Sequence, residues 1–89
     1  MEEKIIDCTK IETPEDFHRI FRETLSFPEW YGNNLDALHD CLTDIAEPTR
    51  IRLCHWEAAE ESLGNYARSA KRAILEAAIE NPRLAVIFD

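Results

Sequence analysis

Glycine is scarce in this sequence, with two residues among 89. A glycine-rich loop of the kind that cradles phosphates has no place in it. Cysteine is scarce too. Cys8, Cys41 and Cys54 are odd in number and none forms a CxxC pair, so neither a disulfide framework nor a zinc site is indicated. No apolar run reaches the ~18 residues of a membrane span. The opening MEEKIIDC carries acids where a signal peptide carries positive charge. These absences predict a reduced, soluble, cytoplasmic protein with no membrane partner. With four prolines and no biased tract, there is no linker, repeat or disordered tail to set aside. The length suits a single domain over residues 1–89.

Basic residues are missing from one stretch altogether. Between Arg22 and Arg50 there is no lysine or arginine, but there are Glu23, Glu29, Asp36, Asp40, Asp44 and Glu47. The whole chain has 18 acids against 10 lysines and arginines, a net charge of −8. Six of those eight net negative charges therefore fall in this one segment. Such a balance argues against a nucleic-acid partner, which needs clustered Lys and Arg. It favours a basic protein partner.

What is present reads as alternating strands and helices. KIIDC, Lys4 to Cys8, is short and β-branched and predicts a strand. Thr13, Pro14 and Asp16 form an N-terminal helix signal, followed by Phe17, Ile20, Phe21 and Leu25 at helical spacing. This helix ends before Pro28. A second helix starts after Asn33 or Asn34, either of which can cap it, and runs to about Thr43. Thr49 to Cys54 alternates polar and apolar and predicts a strand. WEAAEESL predicts a short helix stopped by Gly64. Asn65 then caps a longer helix that Asn81 and Pro82 end. LAVIF, Leu84 to Phe88, has the continuous apolar character of a strand buried on both faces. The β-α-α-β-α-α-β order places helical crossovers between strands. It predicts an α/β fold with a three-stranded parallel sheet.

The second helix separates its residues cleanly. At about 100° per residue from Asp36, Leu35, Leu38, Cys41, Leu42 and Ile45 fall in an arc of roughly 140° to 260°, the buried face. Asp36, His39, Asp40, Thr43 and Asp44 fall in the opposite arc. A solvated face is the bland reading of most charge runs. Here, like charges at i,i+4 oppose the helix by roughly 0.2–0.5 kcal/mol per pair. Asp40 and Asp44 also lie towards the negative end of the helix. A tolerated repulsion points to a strongly basic partner. Trp30 and Tyr31 precede the helix, either as binding anchors or as a cover over the core. His39 and Cys41 point about 160° apart and cannot act as a nucleophile and its base. Asp36, His39 and Asp40 lack a fourth ligand, so no metal and no cofactor is expected. His18 and His55 read as ordinary surface or element-end residues, and Trp56 as core.

PEWYGNNLDALHDCLTD, Pro28 to Asp44, resembles the signature of the barstar family, the intracellular inhibitors of the secreted ribonuclease barnase. The resemblance extends over essentially the whole chain. It implies the barstar fold, protein inhibition rather than catalysis, and a basic, extracellular-type, barnase-like ribonuclease as partner. It also implies that helix and preceding loop enter the enzyme's active site. Carried over position by position, Asp40 is the central phosphate mimic and Asp36 pairs with a neighbouring cation. Trp30, in place of the family's tyrosine, packs on the catalytic edge. Asn34 and Thr43 hydrogen-bond at the rim, and Glu76 on the last long helix is a further contact. For Glu76 the alternative is an ordinary i−4 pair with Arg72. Tyr31, His39 and Asp44 complete the expected partner-binding set. The family has tryptophan where this chain has His39, and glycine and tryptophan where it has Asp44 and Ile45, so the interface edge differs. The alternative function is an acidic binding or regulatory module for another basic protein. Nothing in the sequence calls for an oligomer, so the free protein is expected to be a monomer.

Overall fold

Thr13 opens helix α1 (Pro14–Leu25). Its Oγ1 accepts the Asp16 N–H at 3.1 Å, and the Asp16 carboxylate accepts the Glu12 N–H at 3.1 Å. Two otherwise orphaned donors are satisfied in this way. The Glu12 N–H foremost, with the nearby Arg19 charge adding to it, holds the Asp16 carboxyl below the ordinary carboxylate range. The computed structural model describes all 89 residues and has β1 (Glu2–Asp7), β2 (Thr49–Cys54) and β3 (Leu84–Phe88) paired in parallel in the order β1-β2-β3. Helices α2 (Leu35–Thr43), α3 (Trp56–Leu63) and α4 (Asn65–Glu80) complete the chain. The α/β parallel architecture is as the sequence predicts. No helix is long and apolar enough to cross a membrane.

Three local expectations are corrected. The first strand begins at Glu2 and stops at Asp7, because Asp7 Oδ1 accepts the Thr9 N–H at 3.0 Å and turns the chain into a 3-10 turn over Cys8–Lys10. Asn65 is not a cap but the first residue of α4. The junction is Gly64, at φ 57° and ψ −126°, a conformation that side-chain-bearing residues avoid. The third strand is not buried on both faces. It lies at the sheet edge, where only Leu84 is buried and the other four residues are half-buried. The central position goes to β2, whose Thr49, Ile51 and Leu53 face the core while Arg50, Arg52 and Cys54 face outward. That outer face carries ion pairs. Arg50 Nε donates to Glu3 Oε2 at 2.9 Å, and Arg52 reaches Glu3 and Asp89 at 3.4 and 3.3 Å. A helix laid over these charges would bury them, so one face of the sheet stays open.

The core lies between the closed face and the helices. Phe17 and Phe21 of α1, Leu38 and Leu42 of α2, Ile51 and Leu53 of β2, and Ile74 of α4 are all fully buried. The three cysteines are free. Burial pushes the Cys8 thiol up to about 12 and also raises Cys41, which keeps both protonated and inert.

Candidate functional site, an acidic helix face between two grooves

The turn before α2 fixes its start. Asn33 has a left-handed φ of 52°, which asparagine tolerates better than most residues. Asn34 then caps the helix, its Oδ1 accepting the Ala37 N–H at 2.8 Å while its Nδ2 donates to the Gly32 carbonyl at 3.1 Å. A Cβ on Gly32 would stand 3.0 Å from that Nδ2, so glycine leaves the space that the cap occupies. Of the two asparagines allowed by sequence, the structure selects Asn34.

The far end of α2 is braced from α4. Asn81 Nδ2 donates to the carbonyls of Leu42 and Ile45, both at 3.0 Å, and the residue is buried. The sequence shows Asn81 only as a helix breaker. With Leu38, Cys41 and Leu42 inward, Asp36, Asp40 and Asp44 are exposed on the outer face. The Asp40 side chain is 79% exposed. Asp44 is the C-cap, its N–H donating to the Asp40 carbonyl at 3.1 Å. Thr43 Oγ1 donates to the same carbonyl at 2.9 Å, so both Thr43 and Asn34 already serve α2 in the free protein.

A groove of about 520 Å³ runs between α2 and α4. It gathers Asp36, His39 and Asp40 from α2 with Ser69, Arg72 and Glu76 from α4. Glu76, predicted from the resemblance, does lie beside the acidic face. No ion pair joins it to Arg72. Arg72 brings a fixed cation into a region that has none in sequence. No cluster of three or more His, Cys, Asp or Glu side chains is placed to hold a metal ion.

The loop aromatics go opposite ways. Trp30 is 74% exposed, whereas Tyr31 is 4% exposed and offers a partner no surface. Tyr31 points inward, its hydroxyl 2.6 Å from His18 Nδ1, while His18 Nε2 lies 2.6 Å from the Tyr66 hydroxyl. His18 is therefore not a surface residue but a buried pin that ties the Trp30 loop to α1 and α4. Burial lowers its pKa, and a neutral ring, with one donor and one acceptor, satisfies both tyrosines. A signal for this was present. On the α1 wheel His18 falls about 20° from Leu25, on the apolar face.

His39 also finds a partner invisible in sequence. Its Nε2 lies 2.6 Å from Glu80 Oε2, and its Nδ1 lies 3.7 Å from Asp40 Oδ1. The Glu80 hydrogen bond raises its pKa above the ordinary 6.5, with Asp40 adding a smaller push. The folded pKa exceeds the unfolded one. The pair's contribution is thus fully present below about pH 6.5 and is lost as pH rises through the folded value. We predict that His39→Gln lowers stability at about pH 6, by no more than ~1 kcal/mol for a part-exposed pair, and that the difference from wild type closes by about pH 9. Urea unfolding at the two pH values checks it; a gap that widens with pH would contradict it. His18 has the opposite sign. Its depressed pKa gives stability above about 6.5 that is lost as pH falls, so the comparison with wild type is needed to isolate His39.

Comparison with known proteins identifies the family. Residues 1–88 match the family described as Barstar (barnase inhibitor). The chain is also 40% identical over 78 residues to the Bacillus subtilis (strain 168) protein named "Putative ribonuclease inhibitor YrdF", and the match covers 86% of each chain. The chain belongs to the Barstar (barnase inhibitor) family, a family of inhibitors and not of enzymes.

Proposed function

We propose that this protein inhibits a barnase-like ribonuclease by laying the acidic face of α2 and the Trp30 loop over the enzyme's basic cleft. The observation that carries this is the row of Asp36, Asp40 and Asp44 on the face of α2 turned away from the core. A cleft that binds RNA must present cations to phosphates, and carboxylates on a rigid helix occupy the same positions. In this reading Asp40 meets the central cationic cluster and Asp36 a neighbouring cation. Glu76 contributes from across the groove, and Trp30 packs on the catalytic edge. His39 adjusts the charge of the row. The excess negative charge draws the two proteins together, and the desolvated pairs slow their separation. The partner is a secreted enzyme, and the inhibitor protects the cytoplasm of the producing cell as a monomer. Membership of the family and likeness to the Bacillus subtilis protein support the ribonuclease as target.

The test is a titration of this protein into barnase during RNA cleavage, at low and at physiological salt. Stoichiometric inhibition that weakens with salt is the expected outcome. Absence of inhibition at both salts would overturn the reading and favour a different basic protein as partner.

A further inference from the structure

On its other side α2 borders a second groove, of about 270 Å³. That is the space of about nine waters at ~30 Å³ each, the size of one large side chain rather than a helix. Its walls are Leu25, Phe27, Pro28, Trp30 and Ile45, and the charged group on its lining is Asp44. The groove is preformed. The Phe27 ring packs on Tyr31 with centroids 5.0 Å apart, and Tyr31 is pinned to His18.

Three features of the rim lack a complement within the chain. The Trp30 indole is exposed and stacks on no other ring. The Asp44 carboxylate takes part in no ion pair and accepts no side-chain hydrogen bond, although Asp44 is exposed beside it. The last turn of α2 has no basic residue, so the negative end of the helix meets no cation at the same place, although Asn81 hydrogen-bonds the Leu42 and Ile45 carbonyls there. An apolar wall, an open indole face, a free carboxylate and a helix C-terminus call for one kind of occupant. It has an aliphatic stem, a planar cationic head that stacks on indole, and donors that fork onto a carboxylate. Arginine has all three, and lysine lacks the plane and the fork.

The geometry points to this groove as the seat of an arginine side chain from the ribonuclease, its stem along Phe27, Pro28 and Ile45 and its guanidinium between the Trp30 ring and the Asp44 carboxylate. That identity of the donor rests on the inhibitor reading above. The groove is continuous with the proposed interface through Trp30. It makes the Asp44 and Trp30 positions the determinants of which ribonucleases are held.

Two measurements test this separately from inhibition itself. In the first, N-acetyl-arginine amide is titrated into the isotope-labelled wild-type chain at low salt, with N-acetyl-lysine amide alongside. The arginine probe should shift the Trp30 indole N–H and the Ile45 methyl saturably while the buried Trp56 indole stays put. The lysine probe should move them less than about half as far. Asp44→Asn should weaken the arginine response at least ~5-fold. No saturable shift, or equal shifts with both probes, overturns the assignment whatever barnase does. In the second, Trp30→Ala and Asp44→Asn are compared in barnase inhibition, with Glu61→Gln on α3 as a charge-matched control. Each variant should raise the inhibition constant about tenfold, the double variant by less than the product, and the control by under about twofold. Full additivity would mean that no single side chain bridges the two positions, and would overturn the proposal. If inhibition is absent but the probe response is present, the inhibitor reading fails while the arginine groove stands.

Discussion

Asp40→Ala is expected to weaken inhibition of a barnase-like ribonuclease by about 3–5 kcal/mol, the usual cost of removing one member of a buried ion pair. The inhibition constant would rise by roughly two to four powers of ten. The cost arises in the complex, where the enzyme's cations would be left desolvated without a counter-charge. Stability of the free chain should change by no more than ~0.5 kcal/mol. The side chain is 79% exposed, and the one ion-pair partner within 4 Å is His39, at 3.7 Å. The hydrogen bonds that close the end of α2 use the Asp40 carbonyl, which alanine keeps. Loss of the carboxylate also relieves like-charge repulsion with Asp36 and Asp44, about 0.2–0.5 kcal/mol per pair. Inhibition kinetics and urea unfolding on the same preparation decide it. Equal losses in both, or unchanged inhibition, would remove Asp40 from the centre of the interface.

Leu42→Ala, two residues along the same helix, should do the reverse. Leu42 is fully buried against the core. Truncation of such a residue costs about 2–5 kcal/mol, from lost burial and from the cavity left behind. Against the ~5–15 kcal/mol stability of a typical small domain, that is a substantial loss. The melting temperature should fall by roughly 10–30 °C. Inhibition measured well below the new melting point should stay within about threefold of wild type, because the outer face is untouched. A stability loss under ~1 kcal/mol would mean that α2 is not held by this face. The contrast between Asp40 and Leu42 separates the two jobs of a nine-residue helix.

The two-faced character of α2 was legible in the sequence. Hydrophobic spacing is a local property, and one residue per 100° assigns Leu38, Cys41 and Leu42 to one side and Asp36, Asp40 and Asp44 to the other without reference to the rest of the chain. The same holds for the Thr13 cap, which acts over three residues. It holds too for the parallel sheet, since every pair of strands is separated by helices. The family resemblance of Pro28 to Asp44 was equally local.

What the sequence determined by itself was therefore the set of elements, the inward and outward faces of α2, and the concentration of acid between Arg22 and Arg50. Only the tertiary structure decided which chemical groups meet. It turned Tyr31 inward onto His18, 13 residues away, and left Trp30 outside. It set His39 against Glu80, 41 residues on, and braced the end of α2 with Asn81. It brought Arg72 and Glu76 alongside the aspartates, and placed the apolar LAVIF strand at the edge. The reason is physical. Periodicity and capping depend on near neighbours along the chain, whereas hydrogen bonds and ion pairs depend on where helices dock. That docking follows from core shape summed over all elements, which no single segment encodes.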